Sequence, residues 1–244
     1  MNCAAPRRLR ARGVPPWRSE WLTTHHLGKA LRRATGAALS ARGRTDGVGL
    51  CVLDLGCGQR PWAGLFGRAW CIGVDVDTWG ARPDVIATAT ALPFAAHRFD
   101  LVFCSQVLEH VPAPQPVLAE CVRVLRPGGE LLLSVPFYWP LHEEPHDYRR
   151  FTARGLELDL EEAGFDLVKL EADCGSLTMV VAAVLELLPR RHGFWLPMAP
   201  LVLLANGLAL ILQGLSRDRR STLNWVVRAR RRAAGSPAAS LETS

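Results

Sequence analysis

Residues 50–58 read Leu50-Cys51-Val52-Leu53-Asp54-Leu55-Gly56-Cys57-Gly58, an apolar run closed by an acid and two glycines, and Asp75 follows Asp54 by twenty-one residues. A strand buried on both faces needs such a run. The turn that leaves it needs glycine where the backbone must come close to a ligand. An acid about twenty residues further on falls at the end of the next strand, where its carboxylate can accept hydrogen bonds from ribose hydroxyls. The implied ligand is a nucleoside.

A dinucleotide site needs a third glycine so that the following helix can pack on the strand and face a pyrophosphate. Here the run continues Gln59-Arg60-Pro61, so that glycine is missing. Short apolar runs at 50–55, 70–74, 101–104 and 130–135 are separated by stretches long enough for crossover helices. That alternation predicts a parallel sheet. Ligands of such sheets bind outside the carboxyl ends of the strands, and Gly56, Asp75, Thr88 and Ser105 all fall there.

The segment Asp54–Gly58 resembles motif I of the class I S-adenosylmethionine (SAM) methyltransferases, D/E-x-G-x-G-x-G, with Arg60 where the last glycine would stand. Further segments follow in the family's order: Cys71–Asp77 as the second strand, Thr88–Phe94 as the adenine-side loop, Phe99–Val111 as the fourth strand and its loop, and Val124–Leu133 as helix end, turn and fifth strand. The resemblance spans roughly 48–172 with a last strand near 222–229. It is closest to the small-molecule branch that includes quinone-ring methyltransferases. It implies an α/β fold, Rossmann-like and doubly wound, with a mostly parallel seven-stranded sheet and a hydrophobic helical insert before the last strand.

By the same resemblance, Asp54, Gly56 and Gly58 hold the methionine portion of SAM and Asp75 its ribose. The loop Thr88, Ala89 to Leu92 holds adenine, and Ser105 and Gln106 close the methionine end. Many relatives have an Asp at the position of Thr88. A bond to an uncharged hydroxyl is roughly half as strong as a charge-assisted one, so weaker SAM binding is expected. Asp100 and Pro127-Gly128-Gly129 read as structural, a strand start and a helix-stopping turn.

At 244 residues and 49% hydrophobic content the chain can bury one substantial core. The expected organisation is a basic extension and linker over 1–47, the catalytic core over 48–176, the apolar insert over 177–215, the last strand within 216–232 and a disordered tail over 233–244. Residues 20–40 are expected to form a helix over the sheet edge. The N-terminus lacks the apolar core of a secretory signal. Seven cysteines form no CxxC pair, which indicates a reducing, cytoplasmic setting. Net charge is +6, yet residues 1–44 carry about +9 and 216–244 about +5, leaving the catalytic stretch acidic at about −8. A nucleic-acid enzyme needs a basic face beside its site, so nucleic acid is not expected as a partner.

Leu177–Leu188 holds one charge, Glu186, and Phe194–Leu215 holds none. Pro197 and Pro200 are expected to leave only Leu201–Leu215 as uninterrupted helix, short of the roughly twenty residues a span needs. If 165–170 and 223–227 share one sheet, the chain between must return to the side it left. The insert is therefore expected to pack on the domain, pair with a second copy or contact a membrane as a monotopic or re-entrant element, with a true span as the remaining alternative. Asn206-Gly207 and Gln213-Gly214 repeat at seven residues and predict one narrow polar face.

Acceptor chemistry is expected from Pro136–Phe151, which leaves the carboxyl end of the fifth strand. Tyr138, Trp139, Tyr148 and Arg149 are the candidate acceptor contacts. His146 is the first candidate for general base, with His142, His110 and Asp147 behind it, because imidazole is poised near neutral pH. A metal on His142, His146, Glu143 and Glu144 is not expected, since Pro145 breaks the helix an i, i+4 histidine pair would need. The resulting expectation is methyl transfer from SAM to a small-molecule, lipid-linked or glycan hydroxyl. The alternative is a SAM-binding or scaffolding module of the same fold without turnover.

Overall fold

The computed structural model describes residues 14–76, 82–187, 195–215 and 218–233. Residues 1–13 of the basic extension, Asp77, Arg190, Arg191, Arg217 and the tail from 234 onward lie outside the described residues. Seven strands, β1 (Cys51–Leu55), β2 (Trp70–Asp75), β3 (Val85–Ile86), β4 (Phe99–Ser105), β5 (Leu125–Pro136), β6 (Phe165–Ala172) and β7 (Asn224–Arg231), form one sheet. Their order is β3-β2-β1-β4-β5-β7-β6. Only β7 runs against its neighbours, pairing antiparallel with β5 and β6. This is the Rossmann-like, doubly wound sheet expected from the sequence.

Alternation along the strands sends side chains into two cores. Leu53 and Leu55 of β1 join one, with α2 (Pro114–Val124) and α3 (Ala153–Ala163), while Val52 joins the other. The helix boundaries follow from local chemistry. Proline opens α2, Thr152 caps α3 by accepting from the Gly155 amide at 3.1 Å, and Gly164 ends it with φ 95°.

The second face departs from the sequence expectation. Between β1 and β2 there is a single 3-10 turn, Ala63–Phe66, rather than a crossover α-helix. An apolar stripe of Val52, Leu101, Phe103, Leu132 and Val226 is covered instead by Leu27, Leu31, Ala34 and Ala38 of α1 (Trp21–Ser40). The helix placed over the sheet edge thus lies on the face. Burying each such leucine is worth about 1.5–3 kcal/mol, which no edge position offers.

Pro127-Gly128-Gly129 is likewise not a turn between elements. Helix α2 has already stopped at Val124, and the three residues form a bulge within β5, where Phe99 pairs with Leu125 but Leu101 with Glu130. Asp100 anchors this corner by accepting from the Cys51 amide at 2.8 Å and from Arg126 at 2.7 Å. Glu130, buried, is clasped by Arg228 at 3.0 Å and Arg230 at 3.4 Å, which binds β5 to β7.

Between β6 and β7 the chain forms α4 (Ser176–Glu186) and α5 (Trp195–Leu215). Ala172 pairs with Trp225, so the insert leaves and rejoins the sheet at one point. Buried Asp173 closes that base by accepting from Thr222 Oγ1 at 2.8 Å and from the backbone and side-chain nitrogens of Asn224 at 3.0 and 2.7 Å. Pro197 and Pro200 do not interrupt the helix, contrary to expectation. Pro197 lies in the first turn, where its missing N–H has no partner to lose, and α5 carries Pro200 within it.

Candidate active site

The carboxyl ends of β1, β2 and β4 open onto a pocket of about 650 Å³, within the range of small-molecule sites. Gly56, Gly58, Asp75, Thr88, Ala89, Gln106 and His110 line it. Gly56 has φ 65° and a Cβ there would overlap the Val107 side chain, so both conformation and space require glycine. The Gly58 amide donates to Asp75 Oδ2 at 2.8 Å, which joins the first turn to the end of β2. Thr88 Oγ1 lies 3.2 Å from Thr90 Oγ1 on the wall where adenine is expected. Val107, Val111, Pro112 and Pro116 make the opposite wall apolar.

Asp54 is 2% exposed and off the pocket lining, and its Oδ2 has no hydrogen-bond partner. Burial pushes its carboxyl up to about 7, against the opposing pull of Arg60. Arg60, in the last-glycine position, has φ 59° and pairs with Asp84, whose Oδ2 also accepts from the Gly73 amide at 2.8 Å. A side chain at Gly73 would overlap that guanidinium. The departure from motif I is thus filled by an ion pair tying the first turn to the chain entering β3. Cys57 and Cys71 beside it are pushed up to about 12 by burial, which leaves them thiols.

Three expected cofactor residues do not line the pocket, Asp54, Leu92 and Ser105. Leu92 is buried, its amide donating to Glu120 Oε2 at 2.7 Å and its carbonyl accepting from Arg123 at 3.0 Å. Glu120 and Arg123 of α2 therefore brace the adenine-side loop, a role whose only sequence signal is an i, i+3 charge pair. Ser105 Oγ turns to Ser134 Oγ at 2.8 Å, and it is Gln106, with φ 58°, that reaches the pocket.

The acceptor segment folds around Asp147. Its side chain is fully buried, bridged by Arg150 Nη1 at 2.6 Å and Nη2 at 2.7 Å, and it accepts from the His142 amide at 3.0 Å. The Arg150 guanidinium holds that carboxyl far below the usual range, so Asp147 is a structural anion and a poor base. His146 is exposed, its Nδ1 3.1 Å from Tyr148 Oη, and lies off the pocket wall. Tyr138, Trp139, Tyr148 and Arg149 also lie off it. Arg149 donates to the Pro112 carbonyl at 2.6 Å, and the Trp139 carbonyl accepts from Arg150 at 3.0 Å, so these two brace the rim.

His110 is the histidine at the pocket. Its Nδ1 lies 2.8 Å from the His146 carbonyl oxygen, which can only accept, so Nδ1 carries the proton and Nε2 the lone pair. Around it stand His142, ring to ring at 4.8 Å, Glu143 at 3.8 Å and Glu109 at 4.0 Å. Glu109 is buried with neither oxygen hydrogen-bonded, and burial pushes it up to about 8. Among the described residues, ligand atoms of Glu109, His110 and His142 lie within 4.8 Å of one another, a donor set able to take a proton or hold a divalent cation. The grouping weighed from sequence, centred on His146, does not form.

Residues 53–133 match the family model described as a methyltransferase domain. With the sheet order and the pocket, this match marks a region similar to methyltransferase domains on a class I, Rossmann-like fold. A ubiquinone biosynthesis O-methyltransferase from Citrobacter koseri is 34% identical over 111 residues, covering 37% of this chain and 45% of that protein. A malonyl-[acyl-carrier protein] O-methyltransferase from Methylococcus capsulatus is 31% identical over 170 residues, covering 59% and 62%. The chain thus spans less than two thirds of the length of these relatives. Among solved structures, a 1,6-didemethyltoxoflavin-N1-methyltransferase from Burkholderia thailandensis with bound S-adenosylhomocysteine shares the fold at TM-score 0.54 and 20% identity, covering 95% of this chain and 94% of that one. The [4+2]-cyclase SpnF does so at TM-score 0.52 and 20% identity, covering 83% and 81%.

Proposed function

We propose that this chain transfers the methyl group of SAM to a hydroxyl of a small or lipid-linked molecule, such as a quinone-type ring or a glycan, in the cytoplasm or at the inner face of its membrane. The observation that carries the reading is one continuous pocket. The glycine turn, Asp75 and Thr88 line the same cavity as Gln106, the apolar residues Val107, Val111, Pro112 and Pro116, and His110. The acceptor oxygen attacks the sulfonium methyl in line, the carbon–sulfur bond breaks, and sulfur keeps the electron pair. Most of the rate comes from holding the two groups close and aligned. His110 Nε2 takes the hydroxyl proton, with Nδ1–H steadied by the His146 carbonyl. Asp54, Gly56 and Gly58 serve the methionine end, Asp75 the ribose, and the Thr88–Ala89 loop the adenine.

A second reading keeps SAM bound without methyl transfer. It is favoured by Arg60 and Thr88, which depart from the family pattern, and by the cyclase of the same fold, since fold alone does not fix chemistry. Incubation with methyl-labelled SAM and cell extract decides between them. Labelled product lost in His110→Ala supports transfer, and SAM binding with no labelled product supports the second reading.

A further inference from the structure

Helix α5 is built inside out. Asn206 donates to the Pro16 carbonyl at 2.6 Å, and Gln213 accepts from the Gly175 amide at 2.7 Å and from Thr178 Oγ1 at 2.8 Å, so its amide side chains face the protein. Leu201, Leu204, Leu208 and Ile211, at spacings that share one face, point to solvent, Leu204 being 71% and Ile211 62% exposed. The narrow polar face expected from the repeat is there, formed by Asn206 and Gln213, but it is turned into the protein, with Gly207 and Gly214 exposed beside it. On α4, Val180 and Val184 extend the same apolar surface.

We propose that this α4–α5 surface docks on an anionic phospholipid bilayer, lying in the interface without crossing it. The helix is long and apolar enough to span by composition. However, Val202, Asn206 and Ala209 seat its middle against the domain, and both ends of the insert return to one point of the sheet. Among the described residues, the exposed side chains of α5 include no hydrogen-bonding group, whereas a protein interface carries polar and aromatic anchors. Its border is cationic. Lys29, Arg32 and Arg219 lie around His25 and His26 of α1, and exposed Arg219 follows the end of α5, while Arg33 pairs with Glu171 at 3.5 Å and Arg220 with Asp218 at 3.1 Å. A second copy related by two-fold symmetry would bring two such borders together, while anionic headgroups complement them.

The test is flotation of the full chain with vesicles of phosphatidylcholine alone or mixed with phosphatidylglycerol, alongside light scattering. Binding to the mixed vesicles, weakened about tenfold by high salt or by Arg219→Glu with Arg220→Glu, supports the proposal. So does loss of binding in Leu204→Asn/Leu208→Asn/Ile211→Asn with an unchanged circular-dichroism melt. That melt involves no SAM, so a failure here is distinct from a failure of the methyltransferase reading. Absence of flotation, equal flotation of the triple variant, or a dimer that this variant splits overturns it.

Discussion

The Arg60 guanidinium, standing where the motif would have glycine, reaches across Gly73 to pair with the Asp84 carboxylate. The first glycine turn is thereby tied to the chain entering β3, and a cation is placed near buried Asp54. Arg60→Ala is expected to destabilise the protein by about 1–3 kcal/mol, since the Asp84 carboxylate loses its cation and keeps only the Gly73 amide, while half-exposed Asp84 regains water. Urea denaturation measures it. Restoring the motif as Arg60→Gly should therefore not strengthen the site, and SAM affinity equal to or above the parent's would contradict this role.

SAM and S-adenosylhomocysteine should raise the melting temperature while NAD does not, because the glycine turn is followed by a single 3-10 turn and not by an α-helix whose N-terminus could take a pyrophosphate. Asp75→Ala should remove most of that shift. Equal stabilisation by NAD would remove the basis of the assignment.

Thr88 offers an uncharged acceptor on the adenine side of the pocket. Thr88→Asp is expected to tighten SAM binding by about 1 kcal/mol, measured by calorimetry. Unchanged or weaker binding would place adenine elsewhere.

His110→Ala should lower turnover by about a hundredfold or more with little change in SAM affinity. His146→Ala should act far less, since it is the backbone carbonyl of His146 that orients His110. The reverse order of effects would return the base to His146.

Two buried acids beside the pocket should make stability depend on pH. Asp54 and Glu109 are pushed up to about 7 and about 8 by burial, from ordinary carboxylate values near 4. Below about pH 4 both states hold these protons. As pH rises toward 8 the unfolded chain releases them first, so stability falls by up to about 1.4 kcal/mol per pH unit per proton. Glu109→Gln should flatten the melting temperature between pH 5 and 8 (roughly the span of those shifts). A slope that the substitution leaves unchanged would show that Glu109 is ionised in the native protein.

What the chain determines locally was legible before any coordinates. The run ending at Leu55, the glycines at 56 and 58 and the distance to Asp75 fix a strand, a turn and an acid at the next strand end, because these depend on period and spacing. The insert before β7 was legible for the same reason, as charge and hydropathy are properties of contiguous residues. Pairings between distant segments were not. Arg60 meets Asp84, and Glu120 with Arg123 holds Leu92, only because strand order brings their elements together. His110 rather than His146 lines the pocket, in a segment where Arg150 pairs with Asp147 and the His146 carbonyl meets His110 Nδ1, contacts that no local pattern announces. Helix α1 moved from edge to face because the turn at Ala63–Phe66 left apolar strand residues uncovered. The sequence shows that α5 is apolar, but which of its sides meets solvent depends on what packs against Asn206 and Gln213, and tertiary structure alone decides that.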